Sequence, residues 1–100
     1  MLTWGPLRLD GDAHRVFWGD TEIHLTPREF QFLEALLLHR GKTLSRTRLS
    51  LHVYDHAFDC DSNVIDAHMA NLRRKLRQVT GSRVIETVRG VGFRIPERPA

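Results

Sequence analysis

The sequence predicts a single α+β domain, and three observations carry that prediction. Short apolar–polar stretches broken by Gly-Asp pairs fill the first 25 residues, a long run with helical spacing of its apolar side chains follows, and an alternating stretch, "RVIETVRGVGFRIP", comes last. Strands first, helices in the middle and one hairpin at the end belong to an α+β layout, because a parallel sheet would need strands and helices in alternation. At 100 residues the chain has room for one modest core, and not for two.

The opening segment, 1–25, reads as a small antiparallel meander of "LRLD", "HRVFW" and "EIHL". Gly11-Asp12 and Gly19-Asp20 separate these strands, and Gly-Asp supplies the positive φ angles of tight hairpins. Leu7 and Leu9 share one face, as do Ile23 and Leu25. The period then changes in "LTPREFQFLEALLLHRGK". Thr26 is the N-cap, Pro27 takes the first helical position, and Glu29 completes a capping box. Phe30, Leu33 and Leu37 form the buried stripe, widened by Leu36, and Gly41 ends the helix.

A shorter second helix is capped by Ser45 and turns Leu49, His52 and Val53 inward. "YDHAFDCDS" has no period and reads as a loop. Ser62 or Asp61 caps a third helix that runs to about Val79, so the helical unit covers 26–79. Residues 83–96 form a hairpin with its turn at Arg89-Gly90-Val91-Gly92, and Pro96 and Pro99 close the chain in a frayed tail. A lone hairpin after three helices is the layout of a winged helix-turn-helix. The full expectation is a winged helix-turn-helix with an N-terminal antiparallel β-meander, three helices and a C-terminal β-hairpin wing.

Composition narrows the function classes. The hydrophobic share of 41% and charged share of 27% are those of an ordinary globular protein. No apolar run approaches the ~18 residues of a membrane span, and "MLTWGPLRLD" lacks a signal-peptide layout. A cytoplasmic protein with no membrane partner is expected. The single cysteine, Cys60, excludes an internal disulfide framework. The net charge of +3 is a weak signal, but its distribution is stronger. Arg73, Arg74, Lys75, Arg77, Arg83, Arg89 and Arg94 crowd the last third, opposed by Glu86. Asp55, Asp59, Asp61 and Asp66 lie upstream. Such asymmetry suits a polyanionic partner.

On a helical wheel at about 100° per residue, Ile65, Met69, Leu72, Leu76 and Val79 form the inward stripe of the third helix. Asn63, Ala67, Ala70, Asn71 and Arg74 lie opposite, with Asp66, Arg73 and Arg77 on one flank and His68 and Lys75 on the other. Small residues at the centre, Asn and Arg near base edges and cations at the margins are what a helix in a major groove needs. Exposed Ala and Arg are also simply good helix formers, so the face alone leaves both readings open.

The residues "IETVRGVGFRI" resemble the wing of the OmpR/PhoB family of bacterial response-regulator DNA-binding domains. "LTPREFQFLEALLLHRGK", "LSRTRLSLHVYD" and "SNVIDAHMANLRRKL" resemble its three helices in order and spacing, over nearly the whole chain. The resemblance implies a cytoplasmic effector domain binding double-stranded promoter DNA for transcription regulation, the output end of a two-component phosphorelay. Its receiver domain is absent from this sequence. It implies the third helix, about 62–79, in the major groove and the wing in the adjacent minor groove. DNA contacts then fall on Arg46, Asn63, His68, Asn71, Arg73, Arg74, Lys75, Arg77, Thr87 and Arg89. It further implies a polymerase-contacting loop at Tyr54, Asp55, His56, Phe58 and Asp59, and copies arranged in tandem on direct repeats. The isolated domain is expected to be monomeric, with Asp55 to Asp61 available to meet a neighbour's basic face. Many relatives carry Arg where this chain has Ala70 and Asn71, and Asn favours adenine where Arg favours guanine. The target sequence is therefore this chain's own.

Thr87 and Arg89 are two apart on a strand and share a face. Gly90 and Gly92 are expected to turn the hairpin and clear a sugar-phosphate rail. Other chemistry finds no support. His52, Asp55, His56, Asp59, Cys60 and Asp61 lack metal-site spacing, so no metal or cofactor is expected. Ser45, Ser50 and Ser62 have helix-cap or surface explanations, and no enzyme is expected.

Overall fold

The computed structural model describes residues 1–53 and 62–99. A four-stranded antiparallel sheet in the order β1-β2-β3-β4 opens the chain, from β1 (Leu2–Trp4), β2 (Leu7–Asp10), β3 (Arg15–Trp18) and β4 (Thr21–Ile23). Strand β1 is an addition to the expected meander. Its three residues are too few for a period to show, yet Leu2 pairs with Leu9 and Trp4 with Leu7 across a turn led by Gly5 at φ 58°. Gly19 takes φ 60° as expected. The turn after β2 works differently: Asp10 Oδ1 accepts the N–H groups of Asp12 and Ala13 at 3.1 and 3.2 Å. His14, and not Gly11, adopts the positive φ of 54°. A side-chain-closed Asx turn has replaced the freedom of glycine.

Helix α1 (Pro27–Leu38) starts as its sequence dictates. Thr26 Oγ1 accepts from the Glu29 N–H at 3.3 Å, and Glu29 Oε1 accepts from the Thr26 N–H at 2.9 Å. Phe30, Leu33, Leu36 and Leu37 are buried, joined by Phe32 and Ala35, because α1 is covered by β1, α2 and α3 together. The helix itself ends at His39, while Gly41 at φ 84° turns the chain so that its N–H reaches Ile95 O at 2.7 Å.

Helix α2 (Arg46–Val53) is capped by Ser45, whose Oγ accepts from the Arg48 N–H at 3.1 Å. Leu49 and Val53 face inward as expected, but His52 is exposed; small, fully buried Ser50 takes the inward place beside Leu49. Helix α3 (Ser62–Thr80) buries Ile65, Met69, Leu72 and Leu76, with Val79 partly buried at its end. Asp61, one expected cap, lies outside the described residues.

The hairpin consists of β5 (Glu86–Val88) and β6 (Gly92–Arg94), shorter than 83–96. Val84, Ile85 and Ile95 flank the ladder and are buried in the core. Leu44 joins the hairpin from the α1–α2 connection: its N–H donates to Phe93 O at 2.8 Å, and the Phe93 N–H donates to Leu44 O at 2.9 Å. That pairing corrects the role expected of Gly92. A Cβ there would lie 2.0 Å from Leu44 O, so the missing side chain makes room for the protein's own backbone. The tail is not frayed at Pro96, whose carbonyl accepts from Trp4 Nε1 at 2.6 Å. No described helix is long and apolar enough to cross a membrane.

Candidate nucleic-acid interface

Packing of the Ile65–Leu76 stripe forces the opposite side of α3 outward, and Ala67, Ala70, Asn71 and Arg74 are all exposed there. Arg74 Nη2 leans toward Asn71 Oδ1 at 3.5 Å, a loose contact that leaves both side chains adjustable. Beside them Arg73 is half-buried and donates from Nη1 to Thr87 Oγ1 at 2.6 Å. One hydrogen bond thus joins the exposed helix to the wing. Burial pushes the Arg73 guanidinium below the usual arginine range, and the charge of Arg83 adds to it.

At the wing tip the Val91 N–H donates to Val88 O at 3.0 Å, and Gly90 supplies φ 74°. Arg89 and Val91 are thereby left exposed at the turn. A shallow concavity of about 230 Å³ separates wing and helix, lined by Arg46, Asp66, Ala70, Arg73, Thr87 and Phe93 among others. Arg46 enters it from α2, already engaged: Nε donates to Asp66 Oδ1 at 2.8 Å, and its guanidinium lies 5.3 Å from the Phe93 ring centre. A phosphate there would meet a pre-positioned cation with a competing acceptor.

Two expected contacts are directed elsewhere. Lys75 donates from Nζ to Glu29 Oε1 at 2.6 Å, pointing toward α1 and away from the exposed face. Glu29 is only 2% exposed, and a buried carboxylate demands such a partner. Burial raises the Glu29 pKa, but hydrogen bonds from Lys75 and the Thr26 N–H outweigh it and hold the net value below the ordinary glutamate range. His68, half-buried on the same flank, sets its ring 5.9 Å from that of Phe32. Both side chains are engaged in packing α3 on α1. Asn63 falls in the first turn of α3, its side chain outside the described ones; Tyr54, Asp55, His56, Phe58 and Asp59 lie outside the described residues altogether.

Charge pairing divides the cations into two sets. Arg15, Arg46, Lys75 and Arg94 each hold a carboxylate, on Glu22, Asp66, Glu29 and Glu86. Among the described residues, Arg73, Arg74, Arg77, Arg83 and Arg89 hold none. These five lie together on α3 and the hairpin segment, whereas the other described cations without a carboxylate, Arg8, Arg40, Lys42, Arg48 and Arg98, are spread over the rest of the chain. Arg83 was counted among the sequence's late cations but given no place at the site, since no spacing rule positions a residue in the connection after a helix.

A helical trio, a hairpin wing against it and an unpaired cationic strip shared by both define a winged helix-turn-helix effector domain. The chain belongs to the family "Transcriptional regulatory protein, C terminal", whose model matches residues 20–95. It is 42% identical over 99 residues to the response regulator protein PmrA of Pseudomonas aeruginosa, covering 99% of this chain and 42% of that protein. It is 41% identical over 94 residues to the transcriptional regulatory protein TcrA of Mycobacterium tuberculosis, covering 94% of this chain and 37% of that protein. Among solved structures, the DNA-binding domain of the response regulator AdeR, in complex with an intercistronic region, superposes with a TM-score of 0.85 at 26% identity, covering 99% of this chain and all of that one. The chain spans about two fifths of the length of these curated relatives. It is a transcriptional regulatory domain of the response-regulator kind.

Proposed function

We propose that this domain binds double-stranded promoter DNA sequence-specifically, as the output module of a two-component response regulator. The observation that carries the reading is the unpaired cationic strip on α3 and the wing, continuous through the Arg73–Thr87 hydrogen bond. In this reading α3 enters the major groove. Small Ala67 and Ala70 allow close approach, while Asn71, Arg73 and Arg74 reach base edges. Arg77 and, after release from Asp66, Arg46 contact phosphates, and Arg89 enters the neighbouring minor groove. Lys75 and His68 act indirectly, by holding α3 on α1.

A receiver domain upstream in the full-length protein agrees with the greater length of the relatives, and the cytoplasm is where promoter DNA would be met. A single domain presents one recognition helix and one wing, a footprint of roughly 600–1,000 Å² on DNA. We therefore place two copies in tandem on direct repeats about 10–10.5 bp apart, with the isolated domain monomeric. RNA polymerase is the proposed partner of Tyr54, Asp55, His56, Phe58 and Asp59. No catalytic role is proposed.

The test is selection of bound sequences from random duplexes, followed by titration of one-repeat and two-repeat sites at several salt concentrations. Affinity should fall steeply with salt, because bound cations release condensed counterions, and should rise for two repeats in phase. Flat affinity for every duplex across low and moderate salt would overturn DNA binding and leave a protein-interaction module.

A further inference from the structure

Along the wing side of α3, toward its C-terminal end, runs a groove of about 430 Å³ between the helix and the segment leading into β5. That volume lies within the roughly 300–1,000 Å³ of small-ligand sites. Its floor is apolar, from the edges of Leu76, Val84 and Ile85, and its rim is formed by Arg73, Arg74, Arg77 and Arg83. No lining residue is acidic. Nearby on the same face two cations do hold a carboxylate, Arg46 on Asp66 and Arg94 on Glu86. In the groove, by contrast, four arginines line one space, and among the described residues none of them holds a carboxylate.

Like charges lining one space repel one another unless an anion lies between them. Arg73 registers the repulsion, since burial and the neighbouring Arg83 both disfavour its charge. Arg77 and Arg83 are exposed and able to turn inward. Guanidinium forks match phosphate oxygens in pairs. Four forks offer more donors than one carboxylate can accept, and the apolar floor suits the carbon skeleton that links one phosphate to the next.

We propose that this groove is an anion site that takes two or more linked phosphate groups, sharing Arg73 and Arg74 with the base-reading face and adding Arg77 and Arg83 to it. The same chemistry has two sources: the backbone of the DNA strand that passes the wing, or a free polyphosphate. Arg83 becomes a binding residue in either case. The DNA source rests on the proposed function above; the free-polyphosphate source does not.

The experiment compares the 100-residue chain with Arg77→Gln/Arg83→Gln and with a charge-matched control, Arg40→Gln/Arg48→Gln, outside the groove. Probes are a duplex site and sodium tripolyphosphate. If the DNA backbone fills the groove, the groove variant binds cognate and random duplexes about tenfold more weakly. Its salt slope falls by about two, near one per cation lost, and the control shows a smaller loss. If a free polyphosphate is the occupant, tripolyphosphate binds with one-to-one stoichiometry and the groove variant loses at least tenfold of that affinity, on the order expected for charge-assisted contacts, while its DNA salt slope falls by only about one, the single Arg77 contact. Should the groove variant unfold early, side-chain NMR of the wild type replaces it: the guanidinium signals of Arg73, Arg77 and Arg83 must shift together on adding tripolyphosphate or DNA. A groove variant equal to wild type with both probes, equal losses in groove and control variants, or guanidinium signals that stay in place overturn the proposal. A wild type that binds tripolyphosphate but no DNA defeats the DNA reading and leaves this one standing.

Discussion

Arg73 Nη1 donates to Thr87 Oγ1 at 2.6 Å, and this bond joins α3 to the wing. The two elements are therefore not independent. Replacing Thr87 by Val and Arg73 by Gln, singly and together, should give non-additive losses of DNA affinity, with a coupling of about 0.5–1.5 kcal/mol. Strictly additive losses in that cycle would separate helix from wing.

Lys75 should behave as a stability residue. Lys75→Met removes the main partner of the buried Glu29 carboxylate and should cost about 1–3 kcal/mol of folding stability. Because the folded pKa of Glu29 is depressed, its contribution is present above the ordinary glutamate range and is lost as pH falls through the folded value. The deficit of Lys75→Met should therefore be largest near neutrality and shrink in acid, as measured by urea titration at several pH values. A deficit that grew toward acid would reverse the assignment, and the DNA salt slope should stay that of wild type.

The two wing glycines should differ sharply. Around Gly90 nothing lies within 4 Å of an added Cβ, so Gly90→Ala meets only the strain of φ 74°, about 1–2 kcal/mol. Gly92→Ala drives a methyl into the Leu44 carbonyl and should cost at least roughly twice as much, with loss of the hairpin pairing. Equal thermal shifts for the two would show that the Leu44–Phe93 bridge yields easily.

Arg89→Ala should weaken binding more on A·T-rich flanks than on G·C-rich ones, since narrow minor grooves concentrate negative potential. Titrating the variant on matched duplexes decides this; identical losses would leave Arg89 as a phosphate clamp.

Local signals were legible in the sequence. Thr26-Pro27-Arg28-Glu29 announced a capping box, and the Ile65-Met69-Leu72-Leu76 stripe set the phase of α3, because each is written in spacing alone. What could not be read depends on partners far along the chain. Lys75 looked like one more late cation until Glu29, 46 residues away, claimed it. Gly92 looked like clearance for a ligand until Leu44 filled the space. His52 fitted a helical stripe on paper, but Ser50 packs inward in its place. Arg83 had no pattern to belong to, and only the fold brings it beside Arg73 and Arg77.

The bond from Trp4 to the Pro96 carbonyl spans 92 positions of sequence. With the Gly41 amide on Ile95 and the Leu44–Phe93 pair, it makes the base of the wing a shared member of both sheets' surroundings. Local opening of the hairpin would have to release the first strand as well, so the wing has no cheap way to fray. In native-state hydrogen exchange the amides of Gly41, Leu44 and Phe93 should open only with the whole domain, in one cooperative unit. Beyond β6's partner strand, the exchangeable part of the wing shrinks to its tip at Arg89 to Val91, a short adjustable finger on a base that holds its place until the whole molecule melts.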